Sequence, residues 1–305
     1  MSIEVGSVTK LYGKQKAVDD VSFQVMNAEI VGFLGPNGAG KSTTMKMITG
    51  YLNPDKGTIR VNGVPVAQNA IQVKKNIGYL SEANPLYYDM YVKEYLRFTA
   101  EAHGLKQVSK RVEEIIDITG LTPERTKKAG QLSKGYKQRL GLAAALIHDP
   151  KVLILDEPTT GLDPNQVTEI RQLIRMLGEN KTVLFSSHIL QEVEAICKRV
   201  VIINKGKLVA DDLLTNLTSA KKSSAIHLKL QEQVEQEWLL RIPQVTSAEK
   251  KQDGSWLIGA TNIEVAKKNI LQWAVEQNLN IVSIQSGQAG SLEDVFRLLT
   301  VKASK

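Results

Sequence analysis

The sequence predicts an α/β fold with a mixed sheet at its core, followed by a smaller α+β domain. Three observations carry that expectation. Gly35-Pro36-Asn37-Gly38-Ala39-Gly40-Lys41-Ser42-Thr43 fits G-x-x-x-x-G-K-[ST] and lies between Glu29–Leu34, which reads as a buried strand, and Thr43–Tyr51, which reads as a helix. Strand, glycine loop and helix is the setting a phosphate-binding loop requires. Val152-Leu153-Ile154-Leu155 is a continuous apolar run of the kind found in central parallel strands, and it ends in Asp156 and Glu157. Beyond the polar stretch Thr218–Ser224 the pattern restarts as strand, helix, strand, strand, helix, strand, which is ferredoxin-like.

Taken in order, Ile3–Leu11 and Ala17–Val25 alternate apolar and polar residues as half-buried strands do, and the turn between them carries Tyr12. A turn at Asn53–Gly57 follows the glycine-loop helix, and Thr58–Val61 and Val64–Val66 flank Asn62-Gly63, a hairpin signal. Ile77–Ser81 reads as a strand ending at Glu82. From Pro85 to Ile147 the period becomes helical, in Val92–His103, Lys110–Thr119 and the Ala/Leu-rich Gln138–Leu146, so a helical insertion is expected at about 84–148. The core resumes with Val152–Leu155, helix Asn165–Leu177, strand Thr182–Ser186, helix Ile189–Cys197, and the hairpin Val200–Ile203 and Lys207–Ala210. In the last part, Ile226–Leu230, Val245–Lys251, Ser255–Ala260 and Asn280–Gln285 read as strands, with Asp253-Gly254 as a hairpin turn. Glu232–Arg241 and Glu264–Asn278 read as helices, and Ser291-Leu292-Glu293-Asp294 as a capping signal for a final helix, Leu292–Leu299. The expected domains are 1–217 and 218–305.

Composition narrows the classes. The chain has 305 residues, 42% of them hydrophobic, enough for one large domain or two ordinary ones. A formal charge of +7 suits a nucleotide, an anionic membrane surface or nucleic acid, and alone decides nothing. The single cysteine, Cys197, excludes an internal disulfide, fits a reducing cytoplasm, and sits among apolar neighbours as a packing residue. No apolar run approaches the ~18–20 residues of a membrane span, and Met1-Ser2-Ile3-Glu4 lacks a charged-then-apolar signal pattern. Any membrane role therefore needs a partner.

The glycine loop has a specific physics. Gly35, Gly38 and Gly40 let the backbone turn tightly and bring N–H groups to phosphate oxygens. The helix starting near Lys41 points its positive end at the same anion. Lys41 would reach the β/γ-phosphates, and the Ser42 hydroxyl would ligate Mg²⁺. Asp156, at the end of a buried strand, suits Mg²⁺ held through water, and Glu157 beside it suits a base that positions and deprotonates an attacking water.

Between these motifs, Leu132-Ser133-Lys134-Gly135-Tyr136-Lys137-Gln138 resembles the signature motif of ATP-binding cassette (ABC) ATPases. With it, the resemblance covers Met1 to about Asp212. Tyr12 matches the aromatic that stacks on adenine, Glu82 stands where the family usually has the glutamine of its Q-loop, Gly161-Leu162-Asp163 matches the D-loop, and His188 after Ser186-Ser187 matches the switch histidine. The resemblance implies a nucleotide sandwich with ATP and Mg²⁺: two cassettes, expected as a homodimer, face head to tail. Ser133 and the Gly135 backbone of one would grip the γ-phosphate held by Gly35–Thr43 of the other. Hydrolysis would open the pair and drive multi-span membrane permease subunits from the cytoplasmic face of the membrane, with no nucleic acid involved. The signature departs from the family's pattern in Lys134 and Tyr136, and Glu82 adds a charge near the phosphates while keeping an oxygen for Mg²⁺. Both variants resemble the branch of drug-exporter and gliding-motility subunits; the string Ile77–Asn84 and the ending Ser291–Phe296 are most similar to the gliding-motility-associated subunit.

The rival class is a soluble ABC-type ATPase acting on a ribosomal or nucleic-acid partner, and one cassette without a sustained heptad repeat speaks against it. A phosphate-loop GTPase would carry N-K-x-D, where this chain has Asn204-Lys205-Gly206-Lys207. Residues 218–305 are open between a passive appendage and a pairing or regulatory module. They hold all three tryptophans, Trp238, Trp256 and Trp273, and an apolar stripe of Leu292, Val295, Phe296 and Leu299 that would pack on its own sheet or on a second protomer.

Overall fold

In the computed structural model, which describes residues 1–219, 225–251, 253–286 and 296, the glycine loop follows a central strand of a six-stranded sheet. The chain divides into two compact units, Met1–Leu214 and a second beginning at Thr215.

In the first unit, β1 (Ile3–Tyr12), β2 (Gln15–Val25), β4 (Lys56–Val61) and β5 (Val64–Pro65) form an antiparallel sheet in the order β2-β1-β4-β5. Between them in sequence come β3 (Ile30–Leu34) and α1 (Lys41–Ile48). Short α2 (Ala70–Lys74) leads into β6 (Ile77–Leu80). The insertion holds α3 (Val92–Ala102), α4 (Val108–Ile118) and α5 (Lys134–Leu146). The chain then runs through β7 (Val152–Asp156), α6 (Pro164–Gly178), β8 (Thr182–Ser187), α7 (Leu190–Ile196), β9 (Arg199–Asn204) and β10 (Lys207–Leu213). The main sheet is ordered β10-β9-β3-β8-β7-β6, parallel except for the β9–β10 hairpin. Every residue of β7 and β8 is buried, which explains the apolar runs Val152–Leu155 and Val183-Leu184-Phe185 within them. One core joins the two sheets: Phe23 and Phe33 meet at 5.3 Å between ring centroids, with Met45, Met47 and Ile48 of α1 in the same cluster. Cys197 is buried with its Sγ beside Gly32 of β3, its thiol pKa pushed up to about 12 by burial.

The second unit begins at the second residue of α8 (Leu214–Ser219), and Thr218 and Ser219 of the expected linker close that helix. It continues with β11 (Ala225–Leu230), α9 (Gln236–Leu240), β12 (Val245–Lys250), β13 (Trp256–Ala260), α10 (Ile263–Glu276) and β14 (Ile281–Ser286). The sheet is antiparallel in the order β12-β13-β11-β14, the ferredoxin-like arrangement. Trp256 fills its core, Trp273 packs against it, and Trp238 is 43% exposed. The final helix expected at Leu292–Leu299 and its capping signal lie outside the described residues, apart from Phe296.

Several boundaries differ from expectation for physical reasons. The helix expected at Gln138 starts at Lys134, because Ser133 caps it: its Oγ accepts the Tyr136 N–H at 3.4 Å. The helix expected from Glu232 starts at Gln236, because the Glu232 carboxylate instead binds the Asn280 N–H and side-chain amide at 2.8 and 2.7 Å. Tyr12 ends β1, paired with Gln15, and is not part of the turn.

Candidate functional site

The glycine loop is shaped by what touches it. A Cβ on Gly35 would lie 2.4 Å from the Ile203 carbonyl oxygen, so β9 leaves no room for a side chain there. Gly40 has φ 108° and a Cβ on it would lie 2.5 Å from the Ala17 carbonyl oxygen. The loop is tied further by Ala39 N–H to Pro36 O at 3.1 Å, and by Gly206 N–H to Ala39 O at 2.9 Å. Asn37 and Gly38 are exposed at its crown, and Lys41 opens α1 with Ser42 and Thr43 behind it. The first turn of α1 carries no acidic residue, which leaves its positive end available to an anion.

Lys41 is 6% exposed. Its Nζ donates to the Gly35 and Pro36 carbonyls at 2.7 and 3.3 Å and stands 3.5 Å from Glu157 Oε1. The other Glu157 oxygen, Oε2, lies 2.8 Å from His188 Nδ1 and accepts from Thr160 Oγ1 at 3.1 Å. Against an ionised carboxylate that histidine nitrogen carries the proton. Glu157 is itself 6% exposed and has φ 52°, an uncommon backbone for a residue with a side chain. Ser186 supports both acids: its Oγ donates to Asp156 Oδ1 at 2.7 Å and accepts the Glu157 N–H at 2.9 Å. Three segments far apart in sequence thus meet: the glycine loop after β3, the two acids at the end of β7 and the histidine after β8.

Ser42, Asp156 and Glu82 line a cavity of about 660 Å³ together with Tyr95 and His148 of the helical insertion. Tyr79 lines it too; burial first, then Asp156 and Glu82, hold its phenol well above the ordinary value, and its hydroxyl is buried without a partner. A hydroxyl and two carboxylates lining one cavity are hard oxygen donors that fit Mg²⁺. Among the described residues no cluster of three His, Cys, Asp or Glu could hold a metal by itself.

The remaining expected site residues stand outside this cluster. Tyr12 is 51% exposed at the end of β1. Ser133 is exposed at the start of α5, and Gly135 is buried against the Gln166 side chain. Asp163 caps α6, accepting the Gln166 N–H at 2.9 Å. Sequence reasoning missed Ser186, hidden in an apolar strand, and Asn84. The Asn84 amide donates to the Lys137 carbonyl at 2.7 Å and its Oδ1 fits against Gly141, so the Glu82 loop is joined directly to the helix that Ser133 caps. Its φ of 41° follows from the turn it makes, and Asn is one of the residues that tolerate it.

With this geometry in place, likeness to known proteins becomes informative. Residues 18–160 match the ABC transporter family model. The chain is 36% identical over 299 residues to the bacitracin transport ATP-binding protein BcrA of Bacillus licheniformis, covering 96% of this chain and 95% of that protein. It is 33% identical over 309 residues to the linearmycin resistance ATP-binding protein LnrL of Bacillus subtilis, covering 98% of each. Among solved structures, an ATP-binding subunit of an ABC transporter superposes with a TM-score of 0.66 at 31% identity, over 71% of this chain and 92% of that one.

Proposed function

Because the chain belongs to the ABC transporter family of ATP-binding subunits, we propose that it hydrolyses ATP between paired cassettes to power export through separate membrane-spanning subunits. The observation that carries the catalytic reading is Glu157, held between Lys41 and His188 at the mouth of the glycine loop.

The backbone of Gly35–Thr43 cradles the phosphates, and Lys41 offsets their charge. Ser42, Asp156 and Glu82, which line the same cavity, would hold Mg²⁺, and the ion when bound would supply positive charge to the phosphates. Glu157 orients the attacking water and accepts its proton at a carboxylate oxygen, while His188 keeps that carboxylate turned toward the loop. Tyr12, exposed at the end of β1, offers a face for the adenine ring. Ser133, exposed at the start of α5, and Gly135 after it would act on nucleotide bound by a second copy, with Asp163 at the same junction. Phosphoryl transfer needs positioning and electrostatic stabilisation more than covalent chemistry, and this division of labour supplies both.

We assign residues 1–217 to the catalytic cassette and 218–305 to an accessory domain. Among the described residues no helix is long and apolar enough to cross a membrane. In this reading permease partners form the path for the substrate and the cassette docks on them at the cytoplasmic face, as family membership suggests. Export is favoured over import because the relatives above are named for antibiotic transport and resistance. A second reading, a role in gliding motility, is favoured by the string Ile77–Asn84; loss of surface spreading without antibiotic sensitivity on deleting the gene would select it. The catalytic assignment is tested with Glu157→Gln. ATP binding should persist, turnover should fall by roughly 10²–10⁴, and an ATP-bound dimer should accumulate on size-exclusion chromatography. Near-normal turnover rules the role out.

A further inference from the structure

Glu192, in the first turn of α7, is 2% exposed and touches none of the groups assigned to ATP. Its Oε2 accepts two hydrogen bonds, from Thr159 Oγ1 and from Ser187 Oγ, both at 2.7 Å and both buried. Thr159 lies two residues after Glu157, and Ser187 lies immediately before His188. The Ser187 oxygen also accepts the N–H of Ile189, the residue after His188, at 2.9 Å. One carboxylate oxygen thus holds, through two hydroxyls, the two loops whose acid and imidazole meet at 2.8 Å.

An acid this deeply buried is uncommon unless paired. The nearest cation is Arg171 of α6, whose Nη2 stands 3.9 Å from Oε1, at the limit of an ion pair, while its Nε is buried without a hydrogen-bond partner. The carboxylate is therefore aimed at the hydroxyls and not at the guanidinium. Its place in the first turn of α7 adds a favourable interaction with that helix's positive end.

We propose that Glu192 is a positioning residue for ATP hydrolysis: it sets the distance between Glu157 and His188 by clamping Thr159 and Ser187 together. The proposal rests on the reading of Glu157 and His188 given above. Glu192 acts through them and makes no contact with nucleotide. A simple core hydrogen bond would stabilise α7 without caring whether His188 is present, and that difference makes the two roles separable.

The test compares Glu192→Leu, which removes the acceptor at similar size, with Glu192→Gln, whose carbonyl oxygen still accepts both hydroxyls. Hydrolysis is followed in single turnover at saturating ATP, and ATP affinity by equilibrium titration with a fluorescent ATP analogue. Glu192→Leu should slow hydrolysis by about 10–100-fold through misplacement of the acid, with affinity within about threefold of wild type. Glu192→Gln should stay within about threefold of the wild-type rate. In a His188→Ala background Glu192→Leu should cost less than about twofold more, because the geometry it maintains is already lost. A full additional loss in that background overturns the proposal, as does Glu192→Gln behaving like Glu192→Leu, or affinity falling in step with rate. Should Glu192→Leu not fold, Thr159→Val combined with Ser187→Ala enters the same cycle with the same expectations. Glu157→Gln separates the two levels. If it turns over normally, the reading of the catalytic site fails; if it does not and the cycle is additive, only the role of Glu192 fails.

Discussion

Replacing Ser186 by alanine removes one oxygen atom and should damage both stability and turnover. Ser186 is wholly buried in β8 and serves Asp156 as donor and the Glu157 N–H as acceptor. Its loss leaves two buried groups short of a partner, each worth about 1–3 kcal/mol. Asp156 is 1% exposed yet lines the cavity, so its carboxylate has space to turn toward and the lower part of the sum applies, about 2–4 kcal/mol. For a unit the size of Met1–Leu214, each kcal/mol moves the melting temperature by about 2–4 °C, giving a fall of about 5–15 °C. Turnover should drop by about tenfold or more, because Glu157 sits at φ 52° and loses a bond that holds its backbone there. Differential scanning calorimetry of the nucleotide-free protein and a steady-state ATPase assay measure the two effects. Tryptophan fluorescence supplies an internal reference, since all three tryptophans lie beyond Thr215. A shift under about 2 °C with unchanged turnover would refute the view that this hydroxyl anchors both acids.

Other perturbations probe separate parts of the molecule. Lys41→Ala removes charge-assisted hydrogen bonds to phosphate and should weaken ATP binding by about 10–100-fold in an equilibrium titration; unchanged binding and turnover would dismiss the phosphate-loop reading. His148 is half-buried, stacked on His103 at 3.9 Å, bonded to the Ile77 carbonyl and flanked by Asp149 and Lys181; desolvation first, and His103 second, hold its pKa down to about 4 against an ordinary 6.5. The unfolded chain therefore takes up this proton first, so stability is lost as pH falls from 6.5 and the loss levels off below about 4; His148→Phe should flatten the melting-temperature profile over that window. A chain ending at Ser219 should still fold and bind ATP but dimerise less well with ATP and support transport poorly, and dimerisation equal to that of the full chain would leave residues 218–305 as a passive appendage.

Much of the fold was legible because strands and turns here follow local rules. Asn62-Gly63 turns β4 into β5, and Val152–Leu155 is buried on both faces as its composition requires. What was not legible depended on partners distant in sequence. The short helix Ala70–Lys74 has too few residues to show a period. Glu232 belongs by composition to a helix, yet Asn280, forty-eight positions later, claims its carboxylate. The site shows the same division. Lys41, Asp156 and Glu157 are marked by motif, but nothing in the sequence says that His188 meets the acid thirty-one positions before it. Ser186 carried no signal of its own, since a serine after Val183-Leu184-Phe185 reads as a strand end.

That serine also bears on why the strands align as they do. Alternation of apolar and polar residues fixes register where one face of a strand is wet, because a one-residue slip would move the apolar set to solvent. β7 and β8 are buried on both faces, so a slip exchanges one apolar pair for another and meets little penalty from burial alone. The polar groups at the strand ends supply the missing discrimination. In the observed register Asp156 lies opposite Ser186, and Leu34, the last residue before the glycine loop, lies opposite Ser187. Shifting β8 by one residue in one direction would bring Phe185 opposite Asp156 and leave a buried carboxylate oxygen and the Glu157 N–H without their hydroxyl. A buried polar pair that contributes little net stability can still select one arrangement among several apolar ones. On this view the register of the sheet and the placement of Gly35, Glu157 and His188 at one level have the same cause. The contact that anchors the acids is also the contact that aligns the strands beneath them.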